Sequence, residues 1–185
     1  MGERIKAGIF RPSCKTIPYS QITGALRSFL GSNYIHAVGV LDCYKTSFIT
    51  YSPQERIARK SKIPITAEAL TEVAGRVYIV KTNLITENLP KNFEVALGGL
   101  RMKGFGACKL EFTKEITNPN IGRGILATRI PYSFLDRFMI RSIVKPFFGY
   151  LFRPTSDASG VYIKSIFEGS EVVGPDVLLE GGIPQ

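Results

Sequence analysis

Gly98-Gly99-Leu100-Arg101-Met102-Lys103-Gly104-Phe105-Gly106 sets four glycines and two cations within nine residues. Glycine backbones adopt positive φ and let main-chain N–H groups approach a ligand, and Arg101 and Lys103 add charge where a phosphate would sit. The segment therefore reads as an anion site. The same glycines would equally serve as a helix C-cap followed by a tight turn. Charge decides between the two: 24 Lys and Arg stand against 15 Asp and Glu, a formal net charge of +9 and a pI near 9.6. Such a field attracts polyanions, and a nucleic-acid backbone is the expected ligand.

The remaining composition narrows the class. With 44% hydrophobic and 21% charged residues the chain is an ordinary globular one. No apolar run reaches the roughly 18 residues of a spanning helix, and no signal pattern precedes Arg4, so no membrane and a cytoplasmic location are expected. Cys14, Cys43 and Cys108 have neither disulfide nor zinc spacing and are expected to be buried free thiols. The loop lacks the Walker and Gly-x-Gly-x-x-Gly patterns, and no carboxylate cluster offers a magnesium site. No cofactor and no metal are expected.

Around the glycine loop, alternation predicts a first strand over residues 4–10. A helix follows, with Ser20 as its N-cap and Ile22, Leu26, Phe29 and Leu30 at helical spacing until Gly31. Strands are expected at 34–41 and 48–51, separated by a hairpin or inserted loop at 42–47, and again at 63–69 and 75–81. Arg56, Arg59, Lys60 and Lys62 make a basic patch, by default a solvated face and otherwise a binding surface. A second helix is expected over 86–97, with Pro90 in its first turns, and a half-buried strand over 106–113. That order predicts an α+β fold, a ferredoxin-like (RRM-like) βαββαβ domain over residues 1–116 in which two helices cover one face of an antiparallel sheet. Residues 117–185 read as a β-rich C-terminal extension packed on the same domain. Within it, strands at 161–167 and 171–173 flank a Glu168-Gly169-Ser170 turn, and Glu168, Glu171, Asp176 and Glu180 make this end acidic.

Three stretches together resemble a known family. The run 97–106, Leu-Gly-Gly-Leu-Arg-Met-Lys-Gly-Phe-Gly, is similar to the glycine-rich signature of the RAMP superfamily of CRISPR-associated proteins. Ile17-Pro18-Tyr19-Ser20-Gln21-Ile22-Thr23-Gly24-Ala25-Leu26-Arg27 resembles the segment opening the first helix in RAMP subunits of type III effector complexes. Phe167-Glu168-Gly169-Ser170-Glu171-Val172 is similar to a C-terminal Gly-Ser hairpin of some members.

The resemblance implies a subunit of an RNA-guided antiviral effector complex that binds CRISPR RNA and assembles with other RAMP and large subunits. On that basis Gly98, Gly99, Gly104 and Gly106 bring the backbone to phosphates, Arg101 and Lys103 pair with them, and Phe105 stacks or anchors the loop. Ser20 and Arg27 are expected to add a phosphate contact at the first helix. Backbone subunits of type III complexes cut target RNA with an Asp ahead of the Ile-Pro segment, but residues 1–16 contain Glu3 and no Asp. A non-catalytic subunit is therefore expected, of the handle-capping type rather than a backbone repeat because the β-rich C-terminal extension suits a terminal position. The alternative is a metal-independent precursor endoribonuclease using His36, the one histidine, although a lone histidine in a strand is more often structural. A protein-only scaffold subunit is the second alternative.

Overall fold

A computed structural model describes residues 10–53, 63–81, 89–99, 105–155 and 159–181. Strand β1 (Phe10–Arg11) leads to helix α1 (Tyr19–Leu30), then to strands β2 (Ala37–Tyr51) and β3 (Ile65–Ile79). Ile22 and Leu26 lie one turn apart and are fully buried, in one apolar cluster with Ile35 and Ala37 at the head of β2. Gly31, at φ 65°, terminates the helix in the left-handed region that favours glycine. Thr23 clamps the helix to the sheet, because its Oγ1 donates to the Ala37 carbonyl and accepts the Ala37 N–H, each at 2.9 Å.

Strands β2 and β3 pair antiparallel from Ala37↔Ile79 to Tyr51↔Ile65, each 15 residues long. The break expected at 42–47 is absent, and 63–69 and 75–81 join into one strand. Polar side chains such as Asp42 and Lys45 read as a loop, yet backbone pairing needs no buried face when the partner strand runs alongside. Ion pairs Asp42–Arg76 and Lys45–Glu72 bridge the two strands here, and the register shifts around Cys43 absorb the irregularity. At about 3.3 Å per residue the ribbon is about 50 Å long. Strand β1 pairs parallel with β3 at Phe10↔Thr66, giving the order β1-β3-β2. Sequence reading expected an all-antiparallel sheet; of the strand placed at 4–10, only Phe10 falls within the described residues.

The second helix does not form at residues 92–96. These are strand β4 (Asn92–Ala96), paired with β5 (Ala107–Glu111) from Asn92↔Glu111 to Ala96↔Ala107. The side-chain pattern is period two: Val95 is buried and Phe93 half-buried, whereas Asn92, Glu94 and Ala96 face solvent. Phe93 stacks on Phe29 of α1 at 4.8 Å, so the burial a helix would have supplied comes from a hairpin.

The C-terminal part forms two three-stranded sheets. One has β7 (Ile130–Pro131), β10 (Gly160–Ile166) and β9 (Phe148–Pro154) in that order; the other has β6 (Ile121–Ile125), β11 (Glu171–Pro175) and β8 (Ser142–Lys145). Gly169, at φ 88°, makes the predicted turn, but β10 and β11 do not pair with each other: the chain switches sheets there. Their core contains Leu126, Ile130, Leu151, Ile166 and Val172, and it takes in Tyr19 of α1 and Val38 of β2. Backbone bonds cross the same seam, including Tyr19 N–H to the Arg129 carbonyl at 3.1 Å and Thr16 Oγ1 to the Ala127 carbonyl at 2.9 Å. The described residues are thus a mixed α+β structure, mostly strand with one helix.

Candidate nucleic-acid interface

The described ends of the glycine-rich segment, Gly98-Gly99 and Phe105-Gly106, follow β4 and precede β5, so they join two paired strands rather than a helix and a strand. Leu97 N–H donates to the Gly106 carbonyl at 2.8 Å and closes the hairpin. Gly106 lies at φ 89°, and a Cβ there would stand 2.0 Å from the Leu97 carbonyl oxygen, so this glycine is required by loop closure itself. Gly98, at φ 82°, turns the chain on the opposite arm. Gly99 is exposed, and a Cβ at Gly98 or Gly99 would meet nothing within 4 Å. Phe105 is partly exposed beside the closing pair. Arg101, Lys103 and Gly104 lie outside the described residues, as do Arg56, Arg59, Lys60 and Lys62 of the basic patch. That patch follows the end of the long ribbon, past the Tyr51↔Ile65 pair.

The first helix does not present Ser20 as its cap. Pro18 holds that position with extended backbone, and Ser20 is the half-buried second residue of the helix. Tyr19 N–H, which an anion at this terminus would approach, already donates to the Arg129 carbonyl. Arg27 braces the fold: its Nε donates to the Ile35 carbonyl at 2.9 Å, and its Nη2 reaches the Tyr19 hydroxyl at 3.5 Å. The Arg27 guanidinium is thus engaged within the fold.

His36 is buried at the seam between α1 and the C-terminal core. It is 6% exposed, its Nδ1 lies 2.7 Å from the Tyr19 hydroxyl, and its ring packs 4.7 Å from Phe134. The Tyr19 oxygen also accepts from Arg27 Nη2 at 3.5 Å, so the imidazole, the phenol and the guanidinium form one chain of polar contacts. Burial, reinforced by the Arg137 and Arg27 charges, lowers the imidazole pKa to about 4. His36 is therefore neutral at pH 7, and a weak base in a closed aromatic setting. General catalysis asks for a group that titrates near the working pH and touches the reacting proton.

Two of the acidic residues of the C-terminal part are paired with cations. Glu168 pairs with Arg129 at 2.6 Å and Glu171 with Arg123 at 2.7 Å; the Arg129 guanidinium also lies 4.2 Å over the Phe167 ring. A concavity bounded by residues 115–120, Asp176 and Val177 is lined by two carboxylates and no cation, which suits a phosphate poorly. Of the thiols, Cys14 and Cys108 are half-buried, with their pKa values raised by burial, but Cys43 is exposed, against the expectation of three buried ones. Among the described residues no group of three His, Cys, Asp or Glu side chains could hold a metal, and no helix is long and apolar enough to cross a membrane.

One surface escaped the sequence reading. Phe148, Tyr150 and Phe152 alternate along β9 with their rings exposed, and Tyr162 stands opposite Phe152. The period-two spacing of aromatics around Gly149 and Leu151 was the available signal. No family model, no curated protein and no solved structure matches the chain.

Proposed function

We propose that this chain is a non-catalytic CRISPR RNA-binding subunit of the RAMP kind, part of a cytoplasmic type III RNA-guided effector complex, where it caps the guide handle against other RAMP and large subunits. The observation that supports the RNA contact is exposed Gly99 beside the Leu97–Gly106 bond that closes the β4–β5 hairpin, in a sequence that continues into Arg101 and Lys103. Main-chain amides with neighbouring cations suit the oxygens of a phosphate strand. The net charge of +9 supplies the attraction at longer range. Lack of catalysis is supported by His36, whose hydrogen bond to Tyr19 and depressed pKa fit a structural role.

The ferredoxin-like (RRM-like) part of the proposal rests on α1 between β1 and β2 and on β3 lying between those two strands. The parallel β1 and the strand at Asn92–Ala96 are where the described residues depart from a βαββαβ order. The test is to purify the protein from its native cells at low salt, read the absorbance ratio and sequence any RNA that stays bound. Repeat-derived RNA is the expected result. Absence of nucleic acid would overturn the reading in favour of a protein-only scaffold, and His36-dependent cleavage of repeat RNA would overturn its non-catalytic part.

A further inference from the structure

An antiparallel sheet with one face on the core ordinarily turns polar residues to water on the other. The β9–β10 pair does not. Leu151 and Ile163, on one face, are buried and half-buried in turn, whereas Phe148, Tyr150, Phe152 and Tyr162 occupy the opposite face, with Tyr150 66% and Tyr162 65% exposed. Phe148, Phe152 and Tyr162 are held by contacts with their neighbours. Phe152 meets Tyr162 edge-on at 5.6 Å and lies over Gly160, where a Cβ would stand 2.3 Å from the ring, and the Lys164 ammonium sits 4.1 Å from the Phe148 ring centre. Strand β9 is the outer strand of its sheet, so the ring face continues to an open edge. Exposed apolar patches of this kind mark contact surfaces.

Resting on the RNA-binding reading of the chain, we infer that this face is a second nucleic-acid contact, a stacking platform for the unpaired bases of a single strand. The chemistry favours bases over an apolar protein partner. Neither strand carries a carboxylate, and Lys164, opposite Tyr150, lies among the rings, so the face is cationic as well as aromatic. Alternate residues of a strand are about 6.8 Å apart, twice the 3.4 Å rise of stacked nucleotides, so the platform accepts bases splayed away from one another.

The test uses the full chain in fluorescence anisotropy with an unstructured pyrimidine RNA of roughly twelve nucleotides and an abasic ribose-phosphate strand of the same length. The wild type is expected to prefer the base-bearing strand. The double variant Tyr150→Ala/Tyr162→Ala is expected to lose about 30-fold in affinity for it, with no change for the abasic strand, and Tyr150→Phe/Tyr162→Phe is expected to stay near wild type. Because the chain has no tryptophan, quenching of its tyrosine emission by the RNA but not by the abasic strand reads stacking even if the alanine pair fails to fold. Equal wild-type affinity for the two strands, or unchanged binding by the alanine pair, overturns the platform while leaving RNA binding itself intact. Binding of neither strand overturns both readings. Loss of self-association in the alanine pair with RNA affinity preserved reassigns the face to protein contact and overturns the platform.

Discussion

Acidification should destabilise this protein through His36 in a window set by its burial. In the folded chain the imidazole pKa is about 4, against 6.5 for the free side chain, so the unfolded state binds the proton more tightly. Stability attributable to this residue is complete above pH 6.5 and falls as pH drops towards 4. Linkage with these two values gives a loss of about 2 kcal/mol between pH 7 and 5 and about 3 kcal/mol by pH 4. The structural cause is specific. An imidazolium would lose its hydration in this buried site, and its charge would face Arg137 and Arg27 beside Phe134. The assay is urea unfolding followed by circular dichroism at a series of pH values, comparing wild type with His36→Leu, so that carboxylate titrations common to both cancel. The difference between the two should shrink by about 3 kcal/mol over the window. Parallel profiles would refute the assignment of His36 as a buried neutral group and reopen a catalytic role for it.

Gly106→Ala should destabilise the hairpin by about 1–3 kcal/mol in chemical denaturation, because φ 89° and a Cβ 2.0 Å from the Leu97 oxygen both oppose it, whereas Gly99→Ala should be nearly neutral in stability. Arg129→Met should cost about 1–3 kcal/mol, since it removes both the ring contact with Phe167 and the partner of Glu168, which is one-third exposed and keeps some water. Arg123→Ala, which breaks the more exposed pair with Glu171, should shift unfolding by less than about 1 kcal/mol.

Helix α1 was legible because its apolar positions recur at one period and Gly31 marks the stop; Ile22 and Leu26 are where that pattern puts them. The first cap was not. Ser20 carries the usual capping chemistry, yet a backbone carbonyl from Arg129, more than a hundred residues away, satisfies the terminal amide instead, and nothing local signals it. Residues 92–96 show how a short alternation can hide inside a helix-length window: Phe93 and Val95 alone carry the strand pattern, and it becomes decisive only once residues 107–111 pair with it. The long β2–β3 ribbon was split for a related reason, since its exposed middle has no hydrophobic face and is held by the ladder and by cross-strand ion pairs. In the candidate site, the need for glycine at 98 and 106 could be read from sequence, although their φ values show that it comes from loop closure. The aromatic face of β9–β10 was passed over because exposed and core rings look alike until a sheet assigns them sides.

The claim that the hairpin loop grips a phosphate strand is tested most directly by the salt dependence of oligouridine binding in wild type and in Arg101→Ala/Lys103→Ala. If the two cations each neutralise one phosphate, the double variant should bind more weakly, and the slope of log affinity against log salt should flatten by about 1.4. Identical affinity and identical slope in the two proteins would contradict the account.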